Sequence, residues 1–200
     1  MAIRRGGMTA GELEAQLAAD PAYQAMRKSR EAEQAKLVEQ RARDMQPLLD
    51  DLAAVGVAVD GPSRLFEVPD PSERIYPVLL DHLTRPDTPE WLLEWIGRAF
   101  GRKSAHPMVW DTLVELIKSH SLPNSAVEGV MAAISDMAQP RDLPTLIDLL
   151  SDRSIGTSRI FLVSNLMRSK KPEARAALLR HQYDPELARE IEARLSRSRI

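Results

Sequence analysis

Pro77-Val78-Leu79-Leu80-Asp81-His82-Leu83, Asp111-Thr112-Leu113-Val114-Glu115-Leu116-Ile117 and Pro144-Thr145-Leu146-Ile147-Asp148-Leu149-Leu150 are three copies of one pattern, offset by 34 and then 33 residues. Each copy holds two apolar residues, an acid, a residue that is not small and an apolar residue. The same offsets superpose Leu93, Val127 and Ile160, then Ile96, Val130 and Val163, then Phe100, Ile134 and Met167. Within each copy these last positions fall at i, i+3 and i+7, one face of a helix. Each copy therefore reads as a helix A, a short turn and a helix B. A helix pair can bury only one side against itself. Its other apolar side needs a neighbour, so the pattern predicts stacked pairs with a continuous core and one long free surface.

Composition agrees. Helix formers dominate, aromatics make up 4% of the chain, and long β-branched runs are absent, which predicts an all-α fold. Two hundred residues suffice for one real core. There is no cysteine, which excludes a disulfide frame, a thiolate metal site and a thiol nucleophile and fits a cytoplasmic location. Arg4 and Arg5 are followed by no apolar signal core, and no apolar run approaches a membrane span. The net charge of −2 is unevenly spread: residues 57–152 hold 8 basic and 15 acidic groups, a net −7, whereas residues 153–200 hold 11 and 5, a net +6. A split of this kind can orient a partner or favour head-to-tail contact between copies, and monomer and homodimer both stay open.

Outward from the repeats, residues 1–56 read as an N-terminal helical arm docking on the solenoid, 57–72 as a packed connector and 73–200 as helical repeats. Residues 1–7 are an expected disordered leader. Thr9 caps a short helix through Leu17, with Glu12 as its capping-box partner, and Asp20-Pro21 restarts the helix. Arg27, Lys28, Arg30, Glu31, Glu33, Lys36, Glu39, Arg41 and Arg43 permit i, i+3 and i, i+4 ion pairs on a long charged helix. Met45, Leu48, Leu49, Leu52 and Val55 then form a packing stripe; Pro47 should kink or restart the helix, and Gly56 should end it. In the connector, Asp60-Gly61-Pro62 is a turn, Ser63 to Phe66 a possible short helix and Pro69, Asp70, Pro71 and Ser72 a breaker cluster. Ser72 is the expected cap of the first repeat helix. Thr88-Pro89, His106-Pro107, Leu122-Pro123, Gln139-Pro140, Gly156-Thr157, Lys171-Pro172 and Asp184-Pro185 mark the later helix starts. Leu187, Ile191 and Leu195 form the single apolar stripe of a terminal cap.

These features resemble the HEAT-repeat family over about residues 72–197. The first copy has Pro77 in helix A, Asp87 in the turn and Trp95-Ile96-Gly97-Arg98-Ala99-Phe100-Gly101 closing helix B. The third has Pro144 in helix A, Ser151-Asp152 at its end and Arg159 opening helix B. The second departs, with Asp111 at the proline position and Ala126 at the arginine position; the first has Leu92 where the third has Arg159. The resemblance implies a HEAT-like α-solenoid of three to four helix pairs and a protein-interaction surface, used as scaffold, adaptor or inhibitor; some relatives bind nucleic acid.

The residues show little chemistry. His82, His106, His120 and His181 lack metal-ligand spacing, and Asp81 and His82, being adjacent, should diverge on a helix. No nucleophile elbow or phosphate loop is present. Asp81, Glu115 and Asp148 read as a solvated ridge. No catalytic residue, cofactor or metal is expected. The expected function is non-catalytic binding of another protein through the concave helix-B side. Candidate contacts are Trp91, Arg98, Arg102, Lys103, Glu128, Arg159 and Arg168, with Trp91 a candidate anchor and Trp95 expected in the core or in packing between repeats. Substituting Arg98 and Arg159 together should weaken binding and leave melting almost unchanged. The alternative is nucleic-acid binding by the basic C-terminal third, where Arg153, Arg159, Arg168, Lys170, Lys171, Arg175, Arg180, Arg194, Arg197 and Arg199 cluster in sequence.

Overall fold

The computed structural model describes residues 8–68 and 73–197, and every regular element there is helical. The α-helices are α1 (Ala10–Ala19), α2 (Pro21–Ala54), α3 (Ile75–Thr84), α4 (Glu90–Ala99), α5 (His106–Lys118), α6 (Asn124–Met137), α7 (Leu143–Ser151), α8 (Ile160–Arg168), α9 (Pro172–Arg180) and α10 (Ala188–Arg197). Short 3-10 turns occupy Pro62–Phe66, Lys103–Ala105, Pro140–Asp142 and Arg153–Arg159. The expected leader (1–7), the breaker cluster with its Ser72 cap (69–72) and Arg199 lie outside the described residues. No helix among the described residues is long and apolar enough to cross a membrane.

Punctuation in the sequence sets these boundaries. Thr9 and Glu12 close a capping box at the start of α1. Asp20 Oδ1 accepts the backbone N–H groups of Ala22 at 2.9 Å and Tyr23 at 3.3 Å, which starts α2. Proline occupies the first turn of α5, α7 and α9, where its missing N–H leaves no bond unmade. At the other end of α2, Gly56 takes φ +86°. Its N–H donates to Ala53 and that of Val57 to Leu52, both at 2.9 Å, the two bonds of a Schellman stop. Pro47 does not restart the helix: α2 continues through it to Ala54.

The chain divides into two compact units, residues 1–44 and 45–200. The first holds α1 and most of α2. No residue of α1 is buried, and the earliest buried residue of α2 is Met45. Its charged face is laced by Arg27–Glu31 and Glu39–Arg43 ion pairs at 3.1 and 2.8 Å. The packing part of α2 thus begins at Met45.

In the second unit Met45, Leu48 and Leu52 join one continuous apolar core with α3 to α10. The repeated positions are its centre. Leu79, Leu113 and Leu146 are buried, as are Leu83, Ile117 and Leu150, and Ile96, Val130 and Val163. The acids Asp81, Glu115 and Asp148 face solvent. The first helix-B column fades along the chain: Leu93 is buried, Val127 half-buried and Ile160 exposed. Helices α3 and α4 pack together, as do α5 and α6, and α7 and α8. The second helices also meet in order, α4 on α6, α6 on α8 and α8 on α10.

The α4–α6 contact is the most extensive, and two glycines permit it. A Cβ on Gly97 would stand 2.7 Å from the backbone nitrogen of Val130, and one on Gly129 would stand 2.2 Å from the carbonyl oxygen of Glu94. Both obstacles are backbone, so a rotamer change cannot clear them. Gly129→Ala is expected to cost about 3 kcal/mol or more by overpacking, read as a lower urea midpoint. Gly11→Ala, in the open on α1, should cost nothing and favour that helix. An unchanged midpoint for Gly129→Ala would refute the close approach.

Candidate functional site

The seven candidate contacts divide. Arg159 is not a surface residue: it is 1% exposed. Its Nε donates to Gly156 O at 3.0 Å and Nη1 to Leu150 O at 3.1 Å and Asp184 Oδ2 at 3.0 Å. Nη2 donates to Asp184 Oδ1 at 3.3 Å and to Glu186. All five guanidinium donors are used. Burial pulls the Arg159 pKa down, but the hydrogen bonds and charges of Asp184 and Glu186 outweigh it and raise it. The bond from Arg159 holds the Asp184 carboxyl below its ordinary range, against the opposing effect of burial. This side chain bolts the α7–α8 junction to the turn before α10. Replacing it is therefore expected to lower the melting temperature rather than leave it unchanged, because buried Asp184 would lose its bidentate counter-charge.

Arg102 is also structural. Its Nη2 donates to Phe66 O at 2.8 Å and Leu65 O at 3.2 Å, and Nη1 donates to Val68 O, closing the carbonyl end of the 62–66 turn. Arg98 links three helices: Nε to Glu94 at 2.9 Å, Nη2 to Glu128 at 3.1 Å, and the guanidinium 5.4 Å from the Phe161 ring centroid. Lys103 Nζ donates to Ala138 O at 2.6 Å, just past the end of α6. Trp91 is half-buried, and Glu128 and Arg168 are exposed.

The histidines stand at joints between successive segments. His82 Nε2 donates to Asp51 at 2.8 Å, and His106 Nε2 to Asp142 at 2.8 Å. His106 stacks on Trp110 at 4.7 Å, and its Nδ1 is buried without a partner among the described residues. His120, at φ 51°, reaches Ser154 at 3.2 Å, and His181 reaches Ser151 at 3.1 Å. Burial lowers the His181 pKa, opposed by Asp184. Asp81 and His82 do not diverge as their adjacency suggests. With Asp51 brought in from α2, their ligand atoms lie within 4.8 Å of one another. Arg85 fills the same place, bonded to Asp81 and 3.6 Å from Asp51, and supplies the positive charge that a cation would.

The remaining exposed aromatic and charged side chains of note lie along the second helices. Trp95, expected in the core, is 36% exposed and lies 5.9 Å from the ring of Phe66, itself exposed. Beside this pair a pocket of about 290 Å³ is lined by Arg98, Arg102, Gly101 and Asp136. Asp136 also lines the next cavity, about 610 Å³, with Lys103, Arg168, Lys170 and Lys171. Partial burial raises the Asp136 pKa, while Lys103, Arg98 and Arg168 pull it down. Four candidates (Arg98, Arg102, Lys103 and Arg168) thus gather around one carboxylate. Phe66 and Asp136 carried no signal in sequence, and Trp95 was disguised by its helical spacing among core residues. Compared with protein-family models, curated proteins and solved structures, the chain finds no match in any of the three.

Arg159→Met should destabilise the protein by about 3 kcal/mol, since buried Asp184 loses its bidentate partner and keeps only the backbone N–H of Glu186 and the more distant Arg153, at 3.8 Å. The pH dependence has a definite sign. A carboxyl depressed in the folded state contributes its stability above the ordinary value of 3.8 and loses it as pH falls toward the depressed one. The melting-temperature gap between the native chain and Asp184→Asn should hold from about pH 7 to 5 and close below about pH 4.

Proposed function

We propose that the four pairs α3–α4, α5–α6, α7–α8 and α9–α10 stack as a HEAT-like solenoid. Its concave side, formed by the second helices, is a non-catalytic surface that reversibly binds another protein. Support for the stacking comes from the order of contacts, α4 to α6 to α8 to α10. Support for the binding role comes above all from one observation. Phe66 and Trp95 lie side by side and exposed next to the arginines of a shallow pocket. Aromatic residues and arginine are the side chains enriched where interfaces concentrate their energy. A large aromatic left in water is a standing cost that burial against a partner removes.

The nucleic-acid reading has one observation in its favour: Arg168, Lys170 and Lys171, from the basic C-terminal third, line a single cavity. No aromatic side chain lines that cavity as a stacking platform.

Phe66→Ala with Trp95→Ala removes two rings that lie outside the buried core. Used as bait in nuclease-treated lysate, the native chain should retain a discrete protein that the double variant loses at least about tenfold while its helical circular-dichroism signal persists; a lower melting temperature is expected, because Phe66 and Trp95 are 43% and 36% exposed. Equal retention by both baits would refute the assignment of this surface. Retention abolished by nuclease would put nucleic acid first.

A further inference from the structure

The cavity beyond Asp136 has a composition of its own. Its charged lining is four cations, Lys103, Arg168, Lys170 and Lys171, against the single carboxylate of Asp136. The rest of the wall includes the apolar Ala138, Pro140 and Leu143. Like-charged side chains facing one space repel each other, so the arrangement is relieved by an anion. Three of the four cations are held near the cavity by their place in the fold. Arg168 ends α8, Lys171 immediately precedes α9, and Lys103 is tied to Ala138. An ammonium has three donors, so Lys103 keeps two for a ligand. The side chains of Lys170 and Lys171 make no hydrogen bond or ion pair among the described residues, and both are exposed. Asp136 is the internal competitor: it already occupies part of the cationic ring.

The surroundings narrow the anion. Residues 57–152 carry a net −7. A long polyanion extending beyond the cavity would also meet acids of this stretch, and charges within about 8–10 Å are only partly screened. A short acidic segment confines its charge to the cations. The cavity, about 610 Å³, falls in the range that holds a compact ligand or a few side chains. Three of the cations are lysines, point charges that accept a carboxylate in many orientations, unlike the bidentate fork of arginine.

We propose that the cavity ringed by Lys103, Arg168, Lys170 and Lys171 receives an acidic segment of a partner protein, a short run of Asp and Glu side chains. This rests on the protein-binding reading above and gives the partner its chemistry. The partner's carboxylates take the lysines, and Asp136 sets how strongly the site is attractive. Exposed Phe66 lines the neighbouring pocket that shares Asp136, with Trp95 against it, placing an apolar contact beside the charged one.

The test uses the full chain and a fluorescent hexaglutamate peptide, with hexaglutamine and a thymidine oligonucleotide as comparison probes, at low salt. Hexaglutamate should bind, hexaglutamine should not, and the affinity should fall as salt rises. Lys170→Glu with Lys171→Glu should weaken hexaglutamate about tenfold, whereas Asp136→Asn should strengthen it about two- to fivefold, with melting unchanged in both. Opposite shifts from removing cations and removing the acid are not produced by a loss of structure. Absence of hexaglutamate binding, or binding that neither variant alters, would overturn the proposal. So would an oligonucleotide that binds more tightly than the peptide and responds to the same variants. If hexaglutamate fails while the Phe66/Trp95 variant still loses its protein, the acidic-segment assignment falls alone; if the aromatic variant retains everything, the protein-binding reading falls with it.

Discussion

Backbone contact between α4 and α6 is the constraint from which the second unit is arranged. At Gly97 and Gly129 the two helices approach until main-chain atoms touch, with no room for even a methyl group. So close an approach gains dispersion contacts along both helices and draws their flanking side chains into register. Arg98, one residue past Gly97, is thereby carried to Glu128 and Phe161. Phe100 and Ile134 are enclosed on the core side. Next along the row, spacing is set by polar groups instead. Asn165 Nδ2 donates to Ser135 O at 2.7 Å, and Ser135 Oγ donates to Phe161 O at 2.8 Å. Arg194 Nη1 donates to Ser164 Oγ at 3.1 Å between α10 and α8. One glycine contact and two polar rungs therefore space the row of second helices.

Cations in this protein do two jobs, and the difference decides where function can reside. Arg159 and Arg102 are spent on carbonyls and acids of the chain itself, and Lys103 gives one of its three donors to Ala138. Helix ends leave such carbonyls without partners, and a long cationic side chain is an economical way to satisfy several together. Lys170 and Lys171 have no such duty. A sequence count of basic residues merges the two groups, so the 11 Lys and Arg of residues 153–200 overstate the cations free to meet a ligand. Arg159 is held by buried Asp184 and by Glu186, two of the five acids already subtracted in the net +6.

How far the fold was legible follows from the same distinction between local and distant partners. Helix limits were readable because their signals are local: Thr9 with Glu12, Asp20 before Pro21, Gly56 after α2, and proline in the first turn of three repeat helices. Core positions were readable where a pattern repeats, as at Leu79, Leu113 and Leu146. Arg159 was misplaced because its meaning depends on Asp184, 25 residues further on, and an arginine opening a helix resembles a solvent-facing one until that acid is in position. Trp95 was misplaced for the opposite reason: its helical spacing fits the core, yet Leu92, Leu93 and Ile96 already fill that side, leaving the indole outside. Gly129 carries no local signal, since a glycine within a helix announces nothing until its neighbour is known. The gathering of Arg98, Arg102, Lys103 and Arg168 around Asp136 depends on three helices and the turns between them, and no single stretch of sequence contains it.

The Arg159 bolt also bears on synthesis. The chain emerges from a ribosome in order, and α7 and α8 are complete before Asp184 and Glu186 have appeared. During that interval a guanidinium destined for the interior has no counter-charge, and Leu150 lacks the donor that satisfies its carbonyl only when the bolt is in place. The full set of contacts around the third pair is therefore complete only once the turn that follows α9 has been made, and residues 184–186 close a latch on helices translated before them.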